Sequence, residues 1–412
     1  MRSLAVLAFL VLATVAFAEQ VSYRNYKVYK TEVAKREQLA LLKRWEHLEG
    51  VDFWESTGGR IMIEPRLQKK FELFLQAHKI PHELIIEDVE KTIEAERKYD
   101  QEYRKAHAGL GRSTISFDHF WTLDEIYSYL DELASEYSNL VSVETIGTTE
   151  EGRAIRAITI STANGQISGT RPVIFVDAGI HAREWAAIMS AMYLIHELVE
   201  HSNEYAGMLA SEWVIIPAAN PDGYEYSRIT NRMWRKNRFP ATILCTGVDL
   251  NRNWAYQWAL SSNACSDTYG GHEANSERET RALVSLMDRY AANLKLYLAV
   301  HTYGNLILYP FGYTMPFVPV PNAAEHIAMG QRAAAAVSAV GGPTYRVGNS
   351  AEILYSATGA SDDYAAGAAG FTYAYTLELT GGGSNGFDLP ASEIQRVASQ
   401  TFEIFRSMAE EM

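Results

Sequence analysis

The stretch Val173-Ile174-Phe175-Val176-Asp177-Ala178-Gly179-Ile180-His181-Ala182-Arg183-Glu184 constrains this chain more than any other. An unbroken apolar run of this kind predicts a strand buried on both faces of a sheet. Gly179 then marks a sharp turn, which delivers His181 and Glu184 to the strand end where open α/β sheets bind ligands. A neutral imidazole and a carboxylate three residues apart can face one Zn²⁺, with a third ligand from elsewhere and water in the fourth position. A second such pair, His201 and Glu204, lies in a polar stretch with no strand behind it, so the bare spacing decides nothing and context must.

At 412 residues, with 47% apolar and 21% charged, two globular domains are expected. Residues 1–18 combine Arg2, an apolar run from Leu4 to Phe17 and the small-residue end Ala16-Phe17-Ala18, the pattern of a secretory signal too short to span a bilayer permanently. A secreted, soluble product is therefore expected. In an oxidising compartment the two cysteines, Cys245 and Cys265, are expected to form one disulfide closing a surface loop. The sequence has no Asn-x-Ser/Thr sequon, so N-glycosylation is not expected.

Charge divides the remainder near Arg112. Residues 19–112 carry 18 Lys+Arg against 17 Asp+Glu, whereas residues 113–412 carry 18 against 33. So acidic a second part excludes a nucleic-acid partner. In the first part, strands are predicted at Tyr23–Tyr29, Val51–Trp54, Arg60–Glu64 and Glu83–Glu87, with helices around Leu41–Leu48 and Leu67–Leu75. The order βαββαβ predicts an α+β open sandwich of ferredoxin-like kind. A charge-dense helix follows over about Asp88–His107, a solvated connector whose Arg97, Lys98, Arg104 and Lys105, with Arg112 beyond, offer cutting sites to a trypsin-like protease.

Beyond Arg112 the pattern alternates strand and helix. Thr122 with Glu125 predicts a capping box for a helix to about Tyr137. Strands are predicted at Val141–Gly147, Ala154–Ser161, Val173–Ala178, Trp213–Pro217, Leu296–Val300, Leu306–Tyr309 and Phe371–Leu379, and helices at Trp185–Glu200, Asn322–Val340 and after Pro390. Together they predict an α/β domain, a mixed twisted sheet with helices on both faces.

Two further strand ends carry chemistry. Leu296–Val300 ends at His301, which makes a His181, Glu184, His301 zinc site the expectation. Glu378 lies inside an apolar strand, where a carboxylate is costly unless paired or used, so it is a candidate general base. Between these strands, Trp234-Arg235-Lys236-Asn237-Arg238 and Asp249-Leu250-Asn251-Arg252-Asn253-Trp254 supply guanidinium and amide groups. Arginine forks bind carboxylates through paired hydrogen bonds, which suggests an anionic substrate terminus, while Lys236 and Arg238 suit surface salt bridges.

His181-Ala-Arg-Glu-Trp, Asp249-Leu-Asn-Arg-Asn-Trp, Val300-His301-Thr-Tyr, Tyr355-Ser-Ala-Thr-Gly-Ala-Ser-Asp-Asp and Leu377-Glu378 occur in one order, and together they resemble the digestive zinc metallocarboxypeptidases of the pancreatic A/B type. The resemblance implies a zymogen: signal 1–18, activation prosegment 19–112 lying over the cleft as inhibitor, catalytic domain 113–412. It implies one zinc held by His181, Glu184 and His301, with Glu378 moving the proton between water and leaving amine and Arg235 stabilising the oxyanion. Asn251, Arg252 and Tyr355 would grip the substrate's free C-terminal carboxylate, Arg183 and Tyr303 would line neighbouring subsites, and Phe387 would lie near the mouth. Cys245 and Cys265 stand at the place of the family's disulfide. Peptides with a free C-terminus, a trypsin-like activator and a monomeric state follow from the same resemblance.

Specificity turns on the position seven residues after Tyr355. Here it is Asp362, as in B-type enzymes, and a carboxylate there would pair with a terminal Lys or Arg. Gly312 and Ser350 depart from the full B-type pattern, and Thr380-Gly381-Gly382-Gly383 replaces more polar residues, as a looser wall or a plain turn. A-type or broad specificity is the first alternative, and an inactive secreted binding protein on the same fold the second. The activation bond stays open among Arg104, Lys105 and Arg112. After Arg112 the chain has two lysines, Lys236 and Lys295, against 16 arginines, which suits an alkaline, trypsin-rich lumen because arginine keeps its charge there.

Overall fold

The computed structural model describes residues 20–46, 48–55, 58–108, 116–381 and 386–412. The expected signal, Arg112, Gly382 and Gly383 lie outside them.

The N-terminal unit has strands β1 (Lys27–Thr31), β2 (Val51–Phe53), β3 (Arg60–Ile63) and β4 (His82–Ile86), with helices at Arg36–Leu42 and Gln68–Ala77. They form one antiparallel sheet in the order β2-β3-β1-β4, the arrangement that βαββαβ predicts. Alternation along the strands explains its two apolar faces. Tyr29, Ile61 and Ile63 face the helices with Trp45, Phe71 and Leu75, while Val28, Met62 and Ile86 face the other way, onto Val89, Ile93, Met233 and Phe387. The second face thus packs on residues of the larger unit. The first strand begins at Lys27, not at Tyr23, because Asn25 takes a left-handed φ of 61° in a turn closed by Tyr26 N–H to Tyr23 O at 3.0 Å.

The larger unit adds β5 (Val141–Thr148), β6 (Ala154–Ile160), β7 (Val173–Ala178), β8 (Glu212–Ile216), β9 (Leu294–Thr302), β10 (Leu306–Tyr309), β11 (Arg346–Asn349) and β12 (Tyr373–Leu379). They form a mixed sheet in the order β11-β10-β12-β9-β7-β8-β6-β5. Its centre, β12, β9, β7 and β8, is parallel. Helices Leu123–Glu136, Trp185–Glu200, Ala323–Ala339 and Ile394–Ala409 cover one face and Arg278–Arg289 the other. Along β7, Ile174 and Val176 enter the first core and Val173 and Phe175 the second, so the strand is buried on both sides as its composition predicts.

Thr122 and Glu125 form the predicted capping box, with Glu125 N–H donating to Thr122 Oγ1 at 3.2 Å and Thr122 N–H to Glu125 Oε2 at 2.7 Å. Helices Pro221–Ile229 and Arg278–Arg289 and strand β11 went unassigned in the sequence. The strand expected from Phe371 starts two residues later, after a turn at Gly370 with φ 87°. Among the described residues no helix is long and apolar enough to cross a membrane.

Candidate active site

Three parallel neighbours aim their C-terminal ends at one edge of the sheet. Gly179, with φ 71°, turns the chain after β7; a Cβ there would stand 2.7 Å from Ile188 Cγ1, so both the conformation and the close approach require glycine. The turn presents His181, and Glu184 follows at the start of the Trp185–Glu200 helix. His301 lies one residue from the end of β9. In the β12–β9 pairing Glu378 stands directly opposite His301.

The three side chains meet. His181 Nδ1 is 2.8 Å from Glu184 Oε1, His301 Nδ1 is 2.9 Å from Glu184 Oε2, and the two Nδ1 atoms are 3.1 Å apart. A tetrahedral zinc with ligands at about 2.0–2.1 Å separates its ligand atoms by roughly 3.3 Å, close to these edges. Imidazole nitrogens and carboxylate oxygens converging on one point, all nearly buried, form a possible metal site that suits zinc.

Asp249 holds the cradle from behind. Its Oδ1 lies 3.1 Å from His181 Nε2, and its Oδ2 accepts from Arg235 Nη2 at 2.9 Å and Nε at 3.2 Å. With the proton on Nε2, His181 donates to Asp249 Oδ1 and keeps Nδ1 unprotonated toward Glu184 and His301. Burial opposes charge on Asp249, yet Arg235 and His181 hold its carboxyl well below the usual range. For Glu378, burial dominates and Glu184 adds repulsion, so its carboxyl is pushed up to about 8 although His301 and Arg235 pull it down. A carboxyl beside such a cradle can take a proton from water and return it.

The remaining expected residues line a cavity of about 540 Å³ around this centre: Arg183, Arg235, Asn251, Arg252, Tyr303, Tyr355, Asp362 and Phe387. Arg252 Nη2 donates to Tyr355 Oη, and Asn251 Oδ1 accepts from Ser361 N–H at 2.9 Å. Asp362 is 3% exposed; its oxygens accept from Ser350 Oγ at 3.3 Å and from Asp363 N–H at 3.0 Å. Gly381 lies close against Tyr303, since a Cβ on it would meet Tyr303 Cβ at 2.6 Å. Cys245 and Cys265 are joined, with Cα atoms 5.0 Å apart.

The N-terminal unit closes the same cavity with Asp52, Phe53, Trp54 and Arg60. Arg183 donates to Asp52 at 2.6 Å, Lys43 Nζ lies 4.6 Å over the Tyr355 ring, and Trp54 packs on Phe387 at 5.6 Å between centroids. Arg232, buried at the rim, forks onto Glu96 at 2.7 and 3.1 Å while also donating to the carbonyls of Phe387 and Arg183. Neither these partners nor the role of Asp249 was read from the sequence. The only sequence signal for Asp249 was its place before Asn251 and Arg252.

Comparisons with known proteins agree with this geometry. The zinc carboxypeptidase family matches residues 126–404, and the carboxypeptidase activation peptide matches residues 29–96. Zinc carboxypeptidase A 1 of Anopheles gambiae is 34% identical, covering 99% of this chain and 94% of its own. Carboxypeptidase B of Astacus astacus is 39% identical over 68% of this chain and 92% of its own length. The crystal structure of carboxypeptidase A from Helicoverpa armigera superposes with a TM-score of 0.86 at 32% identity, covering 94% of this chain and 98% of that one. The chain belongs to the zinc carboxypeptidase family and carries that family's activation peptide, so it is the zymogen of a metallopeptidase that acts on peptides.

Proposed function

We propose that the zymogen is secreted, is cut by a trypsin-like protease after Arg112, and then removes C-terminal Lys or Arg from peptides as a monomer. The observation carrying the specificity is the Asp362 carboxyl, buried within the cavity beside Ser350. Burial pushes the Asp362 carboxyl up, and the hydrogen-bond donors it has among the described residues, Ser350, Thr376 and the Asp363 N–H, are neutral, so a guanidinium or ammonium entering the pocket supplies the missing charge.

In this reading His181, Glu184 and His301 would hold one zinc, which would supply Lewis acidity at the site. Glu378 would accept a proton from the attacking water and deliver it to the departing amine. Arg235, kept cationic by Asp249, stabilises the oxyanion. The pair Arg252 and Tyr355, with Asn251, grips the terminal carboxylate and restricts cleavage to the last bond. Arg183, Tyr303 and Phe387 line the subsites that the prosegment covers.

The domain limits 1–18, 19–112 and 113–412 belong to the same proposal. Support for the cut at Arg112 comes from the connector. Arg97, Lys98, Arg104 and Lys105 all lie within the Val89–Ala106 helix, whose hydrogen-bonded backbone is a poor protease substrate. Arg104 is further tied to Asp100 and Glu125, both at 2.9 Å. The monomer is supported by a prosegment that covers its own chain's cavity. The deciding experiment is limited trypsin digestion with N-terminal sequencing, followed by paired assays on acyl dipeptides ending in Arg and in Phe. Preference for Phe would establish the A-type alternative instead.

A further inference from the structure

We infer that the C-terminal end of the Trp185–Glu200 helix forms a second divalent transition-metal site, built from His196, Glu197 and His201. One ligand atom from each of the three lies within 4.8 Å of the others. Glu197 and His201 share a helix face at a spacing of four residues, and the His201 N–H closes the helix on Glu197 O at 3.1 Å. The His196 and His201 rings stand 5.6 Å apart at 87°. His201 accordingly groups with His196 and Glu197, not with Glu204, its partner in the sequence pattern.

Two independent features favour a cation at this place. The Tyr129 hydroxyl lies 2.9 Å from His196 Nδ1, a partner that orients the ring and leaves Nε2 available, as residues behind metal-binding histidines do. The helix also lacks any basic residue in its last turn, although its carbonyls concentrate negative potential there and Glu197 and Glu200 add to it. Most of the polar complement is in place: the hydroxyls of Tyr193 and Tyr205 hydrogen-bond to Glu197, and that of Tyr137 donates to Glu200 at 2.5 Å. Glu197 is buried while His201 is exposed, so the site opens to solvent on one side. Two imidazoles and one carboxylate suit zinc, copper, nickel or cobalt over magnesium or calcium. The same helix begins beside Glu184, so at 1.5 Å per residue the two sites are separated by roughly 18–25 Å along it.

The test is equilibrium dialysis of the full-length zymogen against zinc, with bound metal measured by atomic absorption, on the wild type and on His201→Ala. The exposed His201 position makes misfolding of the variant a small risk, and turnover after trypsin activation at limiting zinc checks it. The wild type is expected to bind two equivalents. The variant should keep one, with the second weakened at least tenfold and turnover unchanged. Cobalt substitution adds a second readout, in which the visible absorption of the second equivalent disappears in the variant. A wild type that stops at one equivalent, or a variant that still takes two with equal affinity, overturns the inference.

Discussion

Asp52 Oδ2 accepts a hydrogen bond from Arg183 Nη1 at 2.6 Å across 131 residues of sequence, and the two side chains are only 13% and 2% exposed. This pair joins the activation peptide to the cavity that holds the metal cradle. Removing one partner of a buried pair leaves an uncompensated charge, at a cost of about 3 kcal/mol or more. In Asp52→Ala the severed prosegment is therefore expected to dissociate at least tenfold faster after trypsin cleavage. Following the appearance of activity during activation checks this.

Replacing Glu378 by Gln preserves shape and removes the proton acceptor. The expected result is a kcat lowered by at least a hundredfold with KM and bound zinc little changed, because general-base contributions run to about 10²–10⁴. Near-full activity would place the proton transfer elsewhere.

Asp249→Asn keeps one acceptor toward His181 and loses the charge that faces both His181 and Arg235. Zinc affinity should fall about 10–100-fold, the usual effect of losing a carboxylate behind a histidine ligand. Competition with a chelator of known affinity measures it directly.

Exchange of the selector should separate charge from size. Asp362→Ala is expected to lower kcat/KM for C-terminal Arg by about a hundredfold, the scale of an unpaired buried cation, while substrates ending in Phe lose little or gain. Parallel assays on the two substrates decide the matter.

Acid should loosen the Leu123–Glu136 helix start. Burial tends to raise the Glu125 carboxyl, but hydrogen bonds from His119, Arg104 and Thr122 outweigh it and hold the group far below its ordinary value. A depressed carboxyl contributes stability above its unfolded pKa of about 4.3 and loses it as pH falls toward the folded value. Glu125→Gln should thus cost the zymogen about 1 kcal/mol at pH 7, the scale of a helix cap, and progressively less below about pH 4. Urea titrations at pH 7 and in acid provide the comparison.

What the sequence disclosed and what it hid follow one rule, that local signals are legible and distant pairings are not. The Val173–Val176 run, the Gly179 turn and the Thr122–Glu125 box act within a few residues, and each element appears where its pattern predicts. His181, Glu184 and His301 were found because two strands end in histidine. By contrast, Asp52 with Arg183 and Glu96 with Arg232 meet only through the docking of two units. Strand β11, Arg346-Val347-Gly348-Asn349, is short and polar because it lies at the sheet edge, where period-two patterning is weakest.

The parallel pairing that sets Glu378 opposite His301 has a consequence for how this enzyme can fail. Side chains alternate across a strand, so slipping β12 by a single position would turn Glu378 through the sheet and bring its apolar neighbour Leu377 or Leu379 to the reaction centre. Competence is in this sense digital: the central strands either lock in one alignment or leave a fold that looks whole and does no chemistry.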